Sequence, residues 1–276
     1  MTNLDRREFL SLSAMSGGLL VAGQLPLLAN EKEYISEPGV GVDKHLGPWA
    51  AKPVVGYRKE FRPAKGKVAE NYQLTYRILQ WSSPRKPGMA KCNEIGQLSI
   101  ERSGSRFTID QRTEYSKTKN HINATIVCNG TTPTSWTVET QSEVMKPSPR
   151  TKMTEKGRVK GKTIIIDNGH FKTQLDAQNP LITQWTVLDE LMKQDPKTIK
   201  RRVDLLQDLH LHKPNHRLFY EGVVSVPSAV GSVKLATVAE LGYGINPIHY
   251  LVDSDGRVQL VTNAITSWAL ESIKPI

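Results

Sequence analysis

The densest group of side chains that could carry out chemistry is a histidine cluster in the last quarter of the chain. His210 and His212 are one residue apart, and His216 follows a Lys-Pro-Asn turn. On a strand, His210 and His212 would point to the same face, and the turn could bring His216 back to them. Three imidazoles form a ligand set for a zinc or copper ion. The cluster is therefore either a metal site or an ordinary solvated strand end, and the cations Lys213 and Arg217 favour the second reading.

A second candidate for chemistry is His249, which stands beside Tyr250. It could act as an acid or base with a carboxylate such as Glu240, or it could be a half-buried strand histidine bonded to backbone. The sequence contains no G-x-S-x-G nucleophile elbow and no complete dinucleotide fingerprint. We therefore expect a protein without catalytic activity, and a metal-dependent hydrolase or oxidase that uses the histidine cluster is the alternative.

The chain has two cysteines, Cys92 and Cys128. On neighbouring strands in an oxidising compartment they could form one disulfide. A pair of free, buried cysteines is the other possibility. Two cysteines alone cannot build a structural zinc site, and no C-x-x-C sequence suggests redox chemistry.

Alternating apolar and polar residues predict β-strands from Tyr72 onward, where Tyr72, Leu74 and Tyr76 are separated by polar residues. Similar runs occupy 96–102, 106–114, 122–128, 135–143, 161–167, 217–226, 232–241, 248–253, 257–263 and 267–271. Strands joined by short polar turns pair in the antiparallel direction. Residues 145–156 contain two prolines and several charges, which predicts a long exposed loop, and 202–211 fits either a strand or a short helix.

One amphipathic helix is predicted at about 180–194. Asn179 can cap it, Pro180 suits its first turn, and apolar residues recur at helical spacing behind them. Further along, Asp255-Gly256 between two apolar runs predicts a hairpin turn rather than a calcium loop, because the distal Glu of such a loop is missing. The expected fold is α+β and predominantly antiparallel β, with a curved sheet or incomplete barrel packed on this helix.

The N-terminal segment has the order of a secretory signal. Arg6 and Arg7 precede Phe9 and Leu10, and an apolar stretch rich in small residues follows. This segment resembles the twin-arginine (Tat) signal of bacterial exported proteins, which implies contact with the Tat export machinery. We expect a signal peptide at 1–29, an extended segment or linker at 30–70, and a single β-rich domain at 71–276. Cleavage after Ala29 and retention of an uncleaved anchor stay open, and no transmembrane span is expected in the mature chain.

The predicted mature chain is strongly basic. The formal net charge is +10, and residues 1–29 contribute two arginines against one Asp and one Glu, so the excess lies after the signal. A positive field favours acidic partners such as anionic polysaccharide, lipid head groups or nucleic acid, although it also serves solubility. The Lys and Arg residues are scattered along the sequence. Nucleic acid is disfavoured because the aromatic residues fall on the predicted core face.

The β-rich region as a whole resembles uncharacterised exported domains of Gram-negative bacteria, which are similar to the incomplete β-barrels of periplasmic lipoprotein carriers. The resemblance covers roughly 72–271 and rests on the strands from Tyr72, the helix at Pro180 and the closing run 242–257. It implies a curved sheet with a cavity for an apolar ligand, and it supplies no site residue. The expected function is thus a periplasmic or secreted binding or structural domain, with a lipid-like molecule or an anionic polymer as the ligand.

Overall fold

A computed structural model describes residues 61–82, 91–115, 117–144, 151–242, 247–263 and 266–276. The twin-arginine segment lies outside these residues, as does the predicted linker up to residue 60. Export and signal cleavage therefore stay predictions. Within the described ranges, no helix is long and apolar enough to cross a membrane.

The described residues form fifteen strands and a single α-helix. The strands are β1 (Tyr72–Ser82), β2 (Lys91–Ser103), β3 (Arg106–Tyr115), β4 (Thr118–Asn129), β5 (Thr132–Val144), β6 (Thr151–Lys160), β7 (Thr163–Asp167), β8 (Lys172–Asp176), β9 (Leu181–Thr183), β10 (Lys200–Gln207), β11 (Leu211–Ser228), β12 (Gly231–Leu241), β13 (Ile248–Val252), β14 (Val258–Thr262) and β15 (Thr266–Pro275). Helix α1 (Thr186–Lys193) lies between β9 and β10, and a 3₁₀ turn at Pro196–Thr198 follows it.

All fifteen strands belong to one curved, unclosed sheet in the order β8-β7-β6-β5-β4-β3-β2-β1-β15-β14-β13-β12-β11-β10-β9. Apart from β8 and β9, which form the two edges, strands that follow each other in the chain are neighbours in the sheet, and β1 joins the two halves by pairing in the antiparallel direction with β15. The β9–β10 pair is parallel, and the intervening stretch that contains α1 makes this crossover possible. The predicted class, antiparallel β-rich α+β with one helix, is confirmed.

The two faces of the sheet differ in their surroundings. The inner face packs on α1 in a large core that includes Trp185, Leu188 and Leu191. In β3, Phe107 and Ile109 point to this inner face and are buried, while Arg106 and Thr108 are exposed on the opposite, outer face. The period of two read from the sequence is the result of this one-sided burial.

Strand β6 corrects the predicted loop at 145–156. Thr151 onward is extended and pairs with β5, while 145–150 lie outside the described residues. The inner face of β6 carries Glu155 and Gly157 where an apolar residue would signal a strand. Gly157 lies against the ring of Trp136, and a Cβ atom at this position would be 1.9 Å from that ring. Of the inner-face residues of β6, Val159 packs against the core, while Glu155 and Gly157 break the apolar alternation that would have predicted the strand.

The helix begins later than the predicted 180–194. Leu181–Thr183 are drawn into the sheet as β9, because they pair in parallel with β10. Asn179 does not cap the helix, since its amide donates to Asp204 Oδ1 at 2.8 Å. The hydroxyl of Thr183 instead accepts the backbone N–H of Thr186 at 3.0 Å, which satisfies one of the free amides at the helix start.

A buried carboxylate fastens the helix to the sheet. Asp189 is 1% exposed and accepts a hydrogen bond from the Tyr72 hydroxyl at 2.9 Å. Its other contacts are Arg102 Nη1 at 3.3 Å and Lys193 Nζ at 3.0 Å. Burial and then the charge of Asp189 raise the pKa of Tyr72 far above its ordinary value, so the phenol stays a hydrogen-bond donor.

A second, smaller core lies on the outer face of the C-terminal half. Leu251 stands between Tyr250 and Val252, which belong to the main core, and therefore points the other way. The cluster comprises Phe61, Leu79, Val224, Val226, Leu235, Leu251, Leu260 and Ala269. The segment after Phe61 is held on this side by Gln259, whose amide bonds both the N–H and the C=O of Ala64 at 2.9 Å.

The predicted hairpin at Asp255-Gly256 connects β13 to β14. Gly256 has a φ of 78°, which favours glycine. Asp253 accepts the backbone N–H groups of Asp255 and Arg257 at 2.9 Å and 3.0 Å. Arg257 Nε also donates to Asp253 at 2.7 Å, so this carboxylate stabilises the turn.

Candidate functional site

His210 lies in the turn between β10 and β11. Asp208 and Leu209 in this turn have left-handed φ values of 49° and 65°, a strained backbone that surrounding contacts must hold. One such contact is the hydrogen bond from Trp136 Nε1 to the Leu209 carbonyl at 3.0 Å. The Nδ1 atom of His210 is 3.1 Å from the Asp208 carbonyl and 3.7 Å from Glu155 Oε2. The turn thus packs on the inner face of β5 and β6.

His212 is held by a different carboxylate. Its Nε2 atom is 3.1 Å from Asp204 Oδ2, and Asp204 is fully buried. The same carboxylate accepts the backbone N–H groups of Gln178 and Asn215 at 2.8 Å and 2.9 Å, as well as the Asn179 amide. Burial alone would raise the pKa of Asp204, but these four hydrogen bonds outweigh it and hold the pKa below its ordinary value.

His216 belongs to a third group, which we call the Glu240 cluster (His216, Glu240 and Tyr250). His216 Nδ1 is 2.8 Å from Glu240 Oε1, and the Tyr250 hydroxyl donates to Glu240 Oε2 at 2.6 Å. All three side chains are buried, Glu240 completely. Gly242 lies over the imidazole, because a Cβ atom there would be 2.3 Å from His216 Nε2. Burial and the charge of Glu240 raise the pKa of Tyr250, which keeps its proton on the donor.

The structure does not bring the three predicted metal ligands together. His212 and His216 lie opposite Leu206 and Val203 on a continuous β11. These partners are three residues apart on β10, about 10 Å along the strand, and the two imidazoles are held by different carboxylates. Each histidine contacts a separate carboxylate, and the described residues contain no group of three or more His, Cys, Asp or Glu side chains that could hold a metal. The predicted zinc or copper site is therefore corrected to three separate structural contacts.

The predicted pairing of His249 with Glu240 is also corrected. His249 Nε2 is 3.4 Å from Glu221 Oε2, whereas Glu240 bonds His216 and Tyr250. Residue spacing did not predict the Glu240 cluster as a unit. The sequence feature that could have indicated it is Glu240, an acidic residue at the end of a buried run in β12. A buried carboxylate must have hydrogen-bond partners.

The two cysteines are far apart in the sheet. Cys128 is a free, buried cysteine at the end of β4, and the side chain of Cys92 lies outside the described residues. Strand β3 separates β2 from β4, and Cys92 pairs near the opposite end of β2, beside Trp81. The predicted disulfide is therefore not formed. Burial raises the pKa of Cys128 to about 12, so its thiol stays protonated at neutral pH and is a poor nucleophile.

These contacts make the buried polar groups structural. Asp189 joins α1 to the distant strand β1, whereas Asp204 and Glu240 join elements that are near in sequence, and each carboxylate accepts hydrogen bonds from donors of this chain. Such groups stabilise one arrangement of the sheet and leave little capacity for acid–base chemistry. Comparison of the chain with family models, curated proteins and solved structures gives no match.

Proposed function

We propose that this protein is an exported, non-enzymatic binding domain of the bacterial periplasm or envelope, and that its ligand is an acidic polymer. The proposal combines the resemblance of the first 29 residues to a Tat signal with the charge of the chain that follows. Nothing in it requires a metal ion or a cofactor.

The observation that carries the proposal is the distribution of charged groups. Two of the histidines suited to chemistry are bonded to buried carboxylates, His212 to Asp204 and His216 to Glu240. The sequence carries a net charge of +10, and many lysines and arginines of the described ranges, such as Lys156 and Lys200, are exposed. A positive surface attracts polyanions and increases their rate of association.

A lipid-like ligand, the other possibility that the sequence left open, has less support. Trp185, Leu188 and Leu191 are fully buried on the inner face, where the resemblance implied a cavity. An open depression of about 820 Å³ exists elsewhere, beside the segment 66–70 and the end of α1. Lys67, Glu70, Lys193 and Asp255 are among its lining residues, which makes it unsuited to an apolar chain.

Binding to polyanions tests the ligand class. We expect the full chain to bind dextran sulfate or polygalacturonate in 50 mM salt, and to bind about tenfold more weakly in 500 mM salt, because salt screens exposed charges. Isothermal titration calorimetry at both salt concentrations measures this change. Uncharged dextran is the control, and equal affinity for dextran and dextran sulfate would contradict the proposal.

Export tests the location. In a Gram-negative host, we expect the wild-type chain in the periplasmic fraction and the variant Arg6→Lys/Arg7→Lys in the cytoplasm. The reason is that the Tat export machinery recognises the twin-arginine pair. Immunoblots of the fractions give the distribution, and the N-terminal sequence of the exported protein shows whether Asn30 is its first residue. Lys65→Arg/Lys67→Arg is the control that changes two basic residues outside the signal. Periplasmic accumulation of the double-lysine variant at the wild-type level would refute this route.

A further inference from the structure

The outer face of β6 carries a row of cations that is not evident from the linear sequence. Lys152, Lys156, Arg158 and Lys160 are all exposed, and Thr154 is the fifth residue of the same face. Residues two apart on a strand are separated by about 6.7 Å, so the row runs for roughly 27 Å along one line. The burial of Glu155 and Gly157 on the inner face fixes this orientation.

Most of this charge is uncompensated. Lys152 Nζ is 2.7 Å from Glu139 Oε2 on β5, which neutralises one end of the row. Among the residues that the structure describes, Lys156, Arg158 and Lys160 form no ion pair, although the exposed Asp167 of β7 lies directly opposite Lys156. Arg158 and Lys160 have no acidic cross-strand neighbour, so they repel each other, and a bound polyanion would relieve this repulsion.

The surface beside the row offers hydroxyl groups. Ser135 and Thr137 of β5 lie directly opposite Arg158 and Lys156. Thr125 of β4 lies opposite Thr137, on the same face. The row is therefore bordered by side chains that can donate to and accept from sugar hydroxyls, next to cations that can bind carboxylate or sulfate groups.

Nucleic acid fits this surface less well. Binding of single strands relies on aromatic side chains on which the bases stack. The outer-face positions described on β4, β5 and β6 include no Phe, Tyr or Trp, because Trp136 points to the inner face. The face has the charge that a polyanion needs and lacks the stacking platforms that a nucleic acid uses.

We propose that the outer face of β6 binds an anionic polysaccharide, with Lys156, Arg158 and Lys160 contacting its carboxylate or sulfate groups and with Ser135 and Thr137 contacting its hydroxyls. This inference rests on the proposed function and names the surface and the polymer class. The chain lies along the strand, so that successive cations meet successive anionic groups.

The test uses the full-length variant Lys156→Ser/Arg158→Ser/Lys160→Ser with dextran sulfate and polygalacturonate as probes. We expect its affinity for the preferred probe to fall about tenfold or more at 50 mM salt, because three adjacent charges are lost. The probe that the wild-type chain binds with the higher affinity shows whether sulfate or carboxylate groups are preferred. Thermal unfolding of the variant should match that of the wild type, since exposed substitutions change stability little.

The matched control is Lys197→Ser/Lys200→Ser/Arg202→Ser, which removes two lysines and one arginine from other exposed positions. Its affinity should change less than about threefold, and so should that of the charge-retaining variant Lys156→Arg/Lys160→Arg. If the serine variant does not fold, Lys156→Gln/Lys160→Gln tests the row in its place, with an expected loss of affinity of about threefold or more.

The outcomes separate the inference from the proposed function. If the wild type binds a polysaccharide and the β6 variant binds it equally well, or if the control loses as much affinity, the inference is overturned and the proposed function stands. Tighter binding of an oligothymidylate than of either polysaccharide overturns the polymer class. A wild-type chain that binds none of the three probes refutes the proposed function itself.

Discussion

Replacement of Glu240 by alanine is expected to lower the free energy of unfolding by about 3–5 kcal/mol. Glu240 accepts one hydrogen bond from the Tyr250 hydroxyl and contacts His216 Nδ1 with its other oxygen. Alanine leaves both partners buried without an acceptor, and it opens a cavity in the inner face as well. Urea unfolding followed by Trp fluorescence measures the loss.

Two substitutions separate the hydrogen bonds from general effects of mutation. Glu240→Gln keeps the volume and one acceptor, so we expect a loss of about 1–3 kcal/mol. Glu101→Ala on the exposed side of β2 removes a carboxylate with little effect, within about 0.5 kcal/mol. If Glu240→Ala were no more destabilising than Glu101→Ala, the Glu240 cluster would have no structural role.

Asp204→Asn is expected to lower the free energy of unfolding by about 2–4 kcal/mol at pH 7, and by progressively less below pH 4. The pKa of Asp204 is lowered in the folded protein, despite burial, by the hydrogen bonds it accepts. A carboxylate with a lowered folded pKa contributes stability that is complete above its unfolded pKa of about 3.9. That stability is lost as the pH falls through the folded pKa, so the wild type and the variant should converge in acid.

Urea unfolding at pH 7, 5, 4 and 3 measures how the free energies of unfolding of the wild type and of Asp204→Asn converge. Asp176→Asn on β8 is the matched control, because Asp176 is exposed and accepts a hydrogen bond from the Thr163 hydroxyl at 3.0 Å. Its difference from the wild type should be small at every pH. A constant difference for Asp204→Asn between pH 7 and pH 3 would show that its charge does not stabilise the fold.

Both substitutions address contacts that the sequence could not identify. The histidine cluster was noticed because its residue types suit metals, yet the carboxylates that hold it come from β6, β10 and β12. His212 and Asp204 meet because β10 and β11 pair in a particular register, with an irregularity between Val203 and Leu205. Register and curvature are properties of the whole sheet, so residue spacing could not assign one carboxylate to each histidine.

Other features of the fold could be predicted from local patterns in the sequence. The strands with one buried face were predicted because apolar residues recur with a period of two, as in β3 and β4. The turn at Asp255-Gly256 was predicted because glycine adopts its positive φ without strain. The amphipathic helix was recognised, although the start of α1 was misplaced because Leu181–Thr183 were taken up by pairing with β10.

The amino-acid sequence alone determined the fold class, the one helix and the basic character of the chain, because these depend on periodicity and composition. Tertiary structure decided which buried groups meet and which charges align. Strand β6 illustrates the division: its inner face fits the core through Gly157, and its outer face collects Lys156, Arg158 and Lys160 into one row. The sequence intersperses these cations with other residues, and the pleat of the strand places them on one side.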